Sequence, residues 1–215
     1  MVNLCVTVRN RYDMIRAMLL SAFEGTVKPD HVYIIDNGKC PGLLIPELEG
    51  IPSWTMVDIS ADPEPGQSCW SLARSLNWFM TQVPEERVIA HDDLTFAPHS
   101  IEKFISTPGA FLLDTALGVL TYRDECIRAV GLNDETISPG FYRYEDCDYQ
   151  HRLALAGIRC TLVECGIRHT PNGTMRKYTD EEMQDYLHRQ HQAAVNYHNK
   201  WGKGPERDPE TGQWW

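Results

Sequence analysis

Short apolar runs alternate along this chain with stretches of helical spacing. "LCVTV" is β-branched and apolar enough for a buried strand, and "YDMIRAMLLSAF" then sets Met14 or Ile15, Met18, Leu19 and Ala22 on one helical face before Lys28-Pro29 stops it. "HVYIIDNG" predicts a second strand that runs into an Asp-Asn-Gly turn. A βαβ unit of this kind closes with a right-handed crossover, so the sheet is expected to be parallel. Ligands of such sheets collect beyond the carboxyl ends of the strands, which puts Asn10, Arg11 and Asp36 on one rim.

The alternation continues. After a loop rich in Pro and Gly over 38–53, "WTMVDIS" predicts a third strand, and "GQSCWSLARSLNWFMTQV" a second helix with Trp70, Ala73, Leu76 or Asn77, and Met80 along its inner face. "RVIAHDDLTF" predicts a fourth strand that breaks at two carboxylates, and "HSIEKFI" a short helix. "AFLLDTALGVLTYRDECIRAVG" is ambiguous in its first half and reads as strand then helix in its second. "YEDCDYQHRLALAG" predicts a helix that runs into a glycine, "IRCTLVECGIRHT" a strand or hairpin, and "TDEEMQDYLHRQHQAAVNYHNKW" a long helix followed by a polar tail from Gly202. The whole pattern is α/β.

Composition narrows the partners. The 215 residues carry 30 acidic and 20 basic side chains, a net charge of −10, which argues against a general polyanion-binding surface. Nucleic acid stays open only as a substrate. The start goes straight into a strand pattern, and no run approaches the roughly 20 apolar residues that span a bilayer, so a cytoplasmic protein without a membrane partner is expected. Seven cysteines, widely spread and without a CxxC pair, read as buried thiols.

Three stretches carry chemistry. In "HDDLTF", Asp92 and Asp93 stand where a strand ends and the chain must turn; paired carboxylates there suit a hard divalent cation, although a solvated turn explains them equally well. "GIRHTPNGT" adds His169, whose imidazole joins carboxylate and phosphate oxygens in a set that fits Mn²⁺, and then a loop with Arg176 and Lys177. In "GFYRYEDCDYQHRLALAG", Glu145 and Asp146 open a helix. Capping alone accounts for acidic residues there, and Asp148 reads as an ordinary first-turn residue.

The order of these landmarks, "CVTVRNR", "VYIIDNG", "ARSLN", "VIAHDDLTF", the long "GLNDETISPGFYRYEDCDYQHRLALAG" and "IRHTPNGT", resembles GT-A glycosyltransferases of the family-2 type over residues 3 to 175. A "KWG" near the end is similar to small bacteriophage members. The resemblance implies a Rossmann-like, mostly parallel central sheet flanked by helices. It divides the chain into a transferase domain over 1–178 and a C-terminal helix and tail over 179–215, packed on or covering that domain. It also implies roles for individual residues. Asp36 would meet the base of a nucleotide-sugar donor, with Asn10, Arg11 and Arg74 lining the nucleotide pocket, Asp92 at the ribose, and Asp93 and His169 on a Mn²⁺ or Mg²⁺ ion. Arg176 and Lys177 would cover the diphosphate, and Tyr142 and Tyr144 the acceptor. His91 stands where many relatives carry the first Asp of their Asp-x-Asp motif.

The resemblance also implies that Asp146 is the base that takes the acceptor's hydroxyl proton, with Glu145 orienting it. A carboxylate held ionised at a helix N-terminus suits that work. The expected activity is metal-dependent, inverting transfer of a sugar, from a UDP-sugar by analogy, to a hydroxyl on a glycan, a protein side chain or a hydroxylated DNA base. A nucleotidyltransferase and a non-catalytic nucleotide-sugar or glycan-binding module are the alternatives. The first usually carries a Gly-rich phosphate loop after its first strand, and "VRNRYD" has no glycine.

Overall fold

The structure is a computed structural model that describes residues 1–8, 11–37, 44–59, 70–84, 86–138, 144–170, 179–207 and 213–214, with Glu182 described without its side chain. The first unit is β1 (Asn3–Val8), α1 (Tyr12–Phe23) and β2 (His31–Asp36), as the alternation predicts, followed by β3 (Trp54–Val57). Then come α2 (Leu72–Gln82), β4 (Arg87–His91), the two-residue β5 (Leu94–Thr95) and α3 (Ser100–Ser106). The second half holds β6 (Phe111–Asp114), β7 (Val119–Tyr122), α4 (Asp124–Val130), α5 (Glu145–Leu155), β8 (Cys160–Val163), β9 (Arg168–His169) and α6 (Asp180–Trp201).

The main sheet has seven strands in the order β3-β2-β1-β4-β7-β6-β8. Only β7 runs against its neighbours; the pairs β1–β2, β1–β4, β2–β3 and β6–β8 are parallel. The ambiguous stretch after α3 is therefore a hairpin, turned by Asp114, whose carboxylate accepts from the backbone N–H groups of Ala116 (2.7 Å) and Gly118 (2.8 Å). The "strand or hairpin" after α5 is neither: β8 joins the edge of the main sheet, whereas β9 leaves it to pair with β5.

Period-2 alternation divides the core into two layers. Leu4, Val6, Val8, Val32, Ile34, Val88 and Ala90 face α1 and α3, burying Ile15, Met18, Leu19, Ile101 and Phe104. Cys5, Ile35, Ile89, Phe111 and Leu113 face the other way, onto Leu76, Phe79 and Met80 of α2 and onto Tyr149 and Leu153 of α5. In α1 the inner face takes Ile15 and leaves Met14 half-buried. α2 begins at Leu72, because the Ser71 hydroxyl accepts from the Arg74 backbone N–H (3.2 Å) and so caps the helix there. Cys5, Cys126, Cys147, Cys160 and Cys165 are buried free thiols.

Asp148 is more than a first-turn residue. Its side chain is completely buried and accepts from Arg152 (3.0 Å), Lys200 (2.7 Å) and the Trp201 indole (2.9 Å), pinning the last turn of α6 to α5. Aromatic contacts reinforce the junction: His151 stacks on Trp201 with ring centres 4.0 Å apart, and its Nδ1 lies 3.0 Å from the Tyr197 hydroxyl. Removing one partner of a buried ion pair strands the other charge. Asp148→Ala is accordingly expected to cost about 3 kcal/mol by urea titration, with unchanged slope, against a few tenths for an ordinary first-turn acid.

Lys200 also holds Asp134 (2.7 Å). Partial burial opposes ionisation of Asp134, but hydrogen bonds from Lys200 and Thr136 outweigh it and bring its pKa down from 3.8 to about 2. A depressed folded-state pKa adds stability above the unfolded value that disappears as pH falls through the folded one. The melting-temperature gap between wild type and Asp134→Asn should therefore be constant above pH 5 or so and close between pH 3.8 and about 2.

Candidate active site

Strand register builds the site. Val8 pairs with Asp36 and Thr7 with His91, so the carboxyl ends of β2, β1 and β4 lie side by side and bring Asp36, Arg11 and the His91-Asp92-Asp93 turn to one rim. His169 arrives from 76 residues downstream of Asp93 through the small sheet: Leu94 pairs with His169 and Thr95 with Arg168, and the Thr170 N–H donates to the Asp93 carbonyl (3.0 Å). A short ladder thus fixes an imidazole against a carboxylate.

Arg11 is the counter-charge. Its guanidinium pairs with both oxygens of Asp92, the Nε contact being 3.1 Å, and with Oδ2 of Asp93. Asp92 is fully buried and Asp93 almost so, and one cation shared between them offsets much of their desolvation. The other oxygen of Asp93, Oδ1, lies 3.1 Å from His169 Nε2. Burial works against ionisation of Asp93, but the His169 hydrogen bond and the Arg11 charge prevail and hold its pKa below the ordinary value. The same hydrogen bond raises His169 against its own partial burial. His91 completes the group: one donor atom each from His91, Asp93 and His169 lie within 4.8 Å of one another. His91 is exposed at the end of β4, and desolvation by the protein around it, with His169 and Arg11 nearby, pushes its pKa down to about 4, so it is a neutral donor at pH 7.

On the other side of His91 is a cavity of about 300 Å³. Leu72, Leu76, Leu113, Leu117 and Leu120 supply much of its wall, and Glu145 and Asp146 its acidic side. Asp146 does not cap α5 in the sense expected. The cap position belongs to Tyr144, in the left-handed region at φ 69°, and Asp146 sits inside the first turn, where its Oδ1 accepts from the Cys147 N–H (2.8 Å). Left-handed backbone is costly for a residue with a Cβ and concentrates at functional sites. Among the described residues the only other non-glycine in that region is Leu117, which lines the cavity, whereas Tyr144 immediately precedes the lining residue Glu145.

Of the remaining expected site residues, Asp36 is buried and accepts from the Tyr12 hydroxyl (3.2 Å), and Tyr144 packs near Tyr197, ring centres 5.8 Å apart. Arg74 lies over the Trp70 ring (4.9 Å) beside Asn77, Trp78 and Glu135, outside the cavity. Asn10, Tyr142, Arg176 and Lys177 lie outside the described residues.

The resemblance implies a tail packed on or covering the domain but marks none of its residues for the site. Gln213 is buried and held three times: its Oε1 accepts from Cys160 N–H (2.9 Å), and its Nε2 donates to the Gln150 (3.0 Å) and Ile158 (3.1 Å) carbonyls. This anchor places Trp214 on the cavity wall with Arg207, whose guanidinium lies 5.5 Å from the Trp214 ring centre. Nothing in a polar Pro- and Gly-rich tail singles out Gln213 as the anchor.

No protein-family profile and no curated protein matches the chain in sequence. Solved structures do match. A mannosyltransferase from Pyrobaculum calidifontis, in complex with GDP-Man and Mn²⁺, superposes with a TM-score of 0.63 at 16% identity, covering 95% of this chain and 65% of its own. The chain has the GT-A fold. The glucosyl-3-phosphoglycerate synthase of Mycobacterium tuberculosis, solved with Mn²⁺, UDP and glucosyl-3-phosphoglycerate, gives 0.61 at 11% identity over 94% of this chain and 80% of its own. A nucleotidyl transferase from Methanothermobacter gives 0.52 at 14% identity, over 91% and 99%. The chain thus spans about two thirds of the mannosyltransferase's length. Among the described residues, no helix is long and apolar enough to cross a membrane.

The shared guanidinium yields a direct test of the rim. Arg11→Met should destabilise the protein by about 3 kcal/mol, by leaving two buried carboxylates without that cation. Millimolar Mn²⁺ should then raise the melting temperature of the variant more than that of wild type, because a dication replaces the missing charge. Equal shifts by scanning fluorimetry would mean that the carboxylates do not face a common ion.

Proposed function

We propose that this GT-A protein is a metal-dependent, inverting glycosyltransferase that uses a UDP- or GDP-sugar. One observation carries the reading: a His-Asp-His donor group and an acidic pair on a helix N-terminus flank a single cavity, joined through His91, which belongs to both. Two oxygen- or nitrogen-donor types on paired backbone fit a dication of the Mn²⁺ or Mg²⁺ kind. The GDP-Man and UDP complexes of the two transferases above, both with Mn²⁺, support a nucleotide-sugar donor.

The residues divide the work. Asp36, at the end of β2, would meet the base of the nucleotide, and Asp92, fixed by Arg11, the ribose. Asp93 Oδ1 and His169 would hold the metal, which supplies positive charge for the departing diphosphate. Across the cavity Asp146 takes the proton of the acceptor hydroxyl as its oxygen bonds to the anomeric carbon, and the carbon–phosphate-oxygen bond breaks with the electron pair leaving on the nucleoside diphosphate. Glu145 orients the acceptor, and the tail residues Trp214 and Arg207 close its side of the cavity. In this reading Arg176 and Lys177 cover the diphosphate, Asn10 completes the nucleotide pocket while Arg74 stays outside the cavity over Trp70, and Tyr142 and Tyr144 border the acceptor. The helix and tail over 179–215 serve as an appendage of the transferase domain over 1–178.

The nucleotidyl transferase neighbour makes the alternative concrete. Nucleotidyl transfer to a phosphate acceptor would use a nucleophile that is already ionised at neutral pH. Such a nucleophile needs no base and would be repelled by Glu145 and Asp146, whereas an acceptor hydroxyl needs one. Release of pyrophosphate from a nucleoside triphosphate and a sugar phosphate would favour that alternative; release of UDP or GDP from the nucleotide-sugar favours transfer.

Asp146→Asn separates capping from catalysis, because the amide keeps size and the Cys147 hydrogen bond but cannot accept a proton. Sugar transfer at saturating donor should fall about 10²–10⁴-fold, with melting and nucleotide affinity unchanged; near-wild-type turnover would remove Asp146 from the mechanism. In Asp93→Ala, stabilisation by UDP or GDP should lose its Mn²⁺ dependence while the protein still folds, as read by thermal shift.

A further inference from the structure

The donor group at the rim is richer in nitrogen than an acidic motif would make it. His91 occupies the last position of β4, its backbone N–H donating to the Gly118 carbonyl (2.9 Å), and its ring faces that of His169 edge-on with centres 5.3 Å apart. The two imidazoles converge on Asp93 without stacking on each other. His169 Nε2 and Asp93 Oδ1, at 3.1 Å, already have the separation of neighbouring ligands around an octahedral ion, about 3 Å for bonds of about 2.1 Å. The third donor, from His91, lies within 4.8 Å of both.

Carboxylate capacity is correspondingly poor. Arg11 takes both oxygens of Asp92 and one of Asp93, so Asp93 Oδ1 is the carboxylate oxygen of this turn that faces the imidazoles. Mg²⁺ favours oxygen, demands near-ideal octahedral geometry and sheds its waters reluctantly, so exchanging two waters for two imidazole nitrogens is unfavourable for it. First-row transition dications accept mixed nitrogen and oxygen sets readily.

We infer that His91 is a metal ligand and that His91, Asp93 and His169 form a two-imidazole, one-carboxylate site selective for a transition dication over Mg²⁺. The inference rests on the transferase reading for the presence of a metal, and it adds the class of metal and the residue that selects it. All three donors sit in or beside paired strands, with His169 locked by the β5–β9 ladder, so the selectivity is built into the scaffold.

The test is calorimetric titration of the full chain with MnCl₂, CoCl₂ and MgCl₂, with and without UDP or GDP, alongside pulsed EPR of the Mn²⁺-loaded protein. Wild type should bind Mn²⁺ and Co²⁺ at least about a hundredfold more tightly than Mg²⁺, and His91→Asp should narrow that ratio by about tenfold or more. The EPR spectrum should carry nitrogen couplings from two imidazoles in wild type and from one in His91→Asp and His91→Asn. Should these variants fail to fold, the wild-type spectrum decides by itself. Mn²⁺ bound with a single imidazole in wild type, or a Mn²⁺/Mg²⁺ ratio that His91→Asp leaves unchanged, would overturn the role of His91 and leave the transferase reading standing. Absence of any dication binding to wild type at millimolar concentration, with or without nucleotide, would overturn both.

Discussion

The fold converges on one shared cation. Arg11 stands just before α1, on the connection from the first strand, and its guanidinium spans the two carboxylates at the end of β4. Without it, two acids at 0% and 5% exposure would sit side by side in a poorly solvated turn, an arrangement that drives one of them to bind a proton. With it, Asp92 is fixed through both oxygens and Asp93 through one, and the last oxygen of Asp93 is left pointing at His169. A single guanidinium therefore decides which carboxylate oxygen faces the imidazoles. That geometry depends in turn on parallel register, since only neighbouring strands running the same way bring the ends of β1 and β4 to the same edge.

Much of this was legible in the residues. Near-continuous apolar runs in β1, β2 and β4 specified a sheet covered on both faces, and carboxylates at strand ends marked the rim, because charged side chains there have no buried partner within the strand. What escaped reading was held by contacts too short or too distant for any local pattern. β5 and β9 are two residues each, below the length at which period-2 alternation has meaning, yet they carry His169 to Asp93. Asp148 looked like helix-end decoration because its three partners come from the same helix and from Lys200 and Trp201, some fifty residues on. The α5 cap was misplaced for a different reason: Tyr144 takes the left-handed conformation that local propensity assigns to Gly or Asn, and that exception is itself next to the acidic pair.

The acidic pair is also where the second half of the chain concentrates its packing. α5 is fixed at its first turn through Asp148 to α6, further along through His151 to Tyr197 and Trp201, and through Gln150 to the tail. Few of these contacts touch the cavity. Their effect is to hold the helix that carries Glu145 and Asp146 at a set distance from a rim built on other strands. A proton acceptor is useful only if it stays within hydrogen-bond reach of the group it serves, and a misplacement of an ångström is enough to lose most of its value. The burial of α5 therefore reads as positional support as much as stability.

In the transferase reading, the cavity wall constrains what the acceptor side would admit. Leucines at 72, 76, 113, 117 and 120 make much of the space between His91 and Asp146 apolar, and Trp214 adds an indole. Water is the competing nucleophile in any sugar transfer that uses a general base, since a base positioned for an acceptor hydroxyl serves a water molecule equally well. An apolar wall gives water few partners, so a water molecule there is held weakly. A larger acceptor with an apolar face gains from the same surface. Discrimination between transfer and hydrolysis would then come less from the carboxylates, which are indifferent to the source of the proton, than from the leucines around them and from a tail that is brought over the cavity by one buried glutamine.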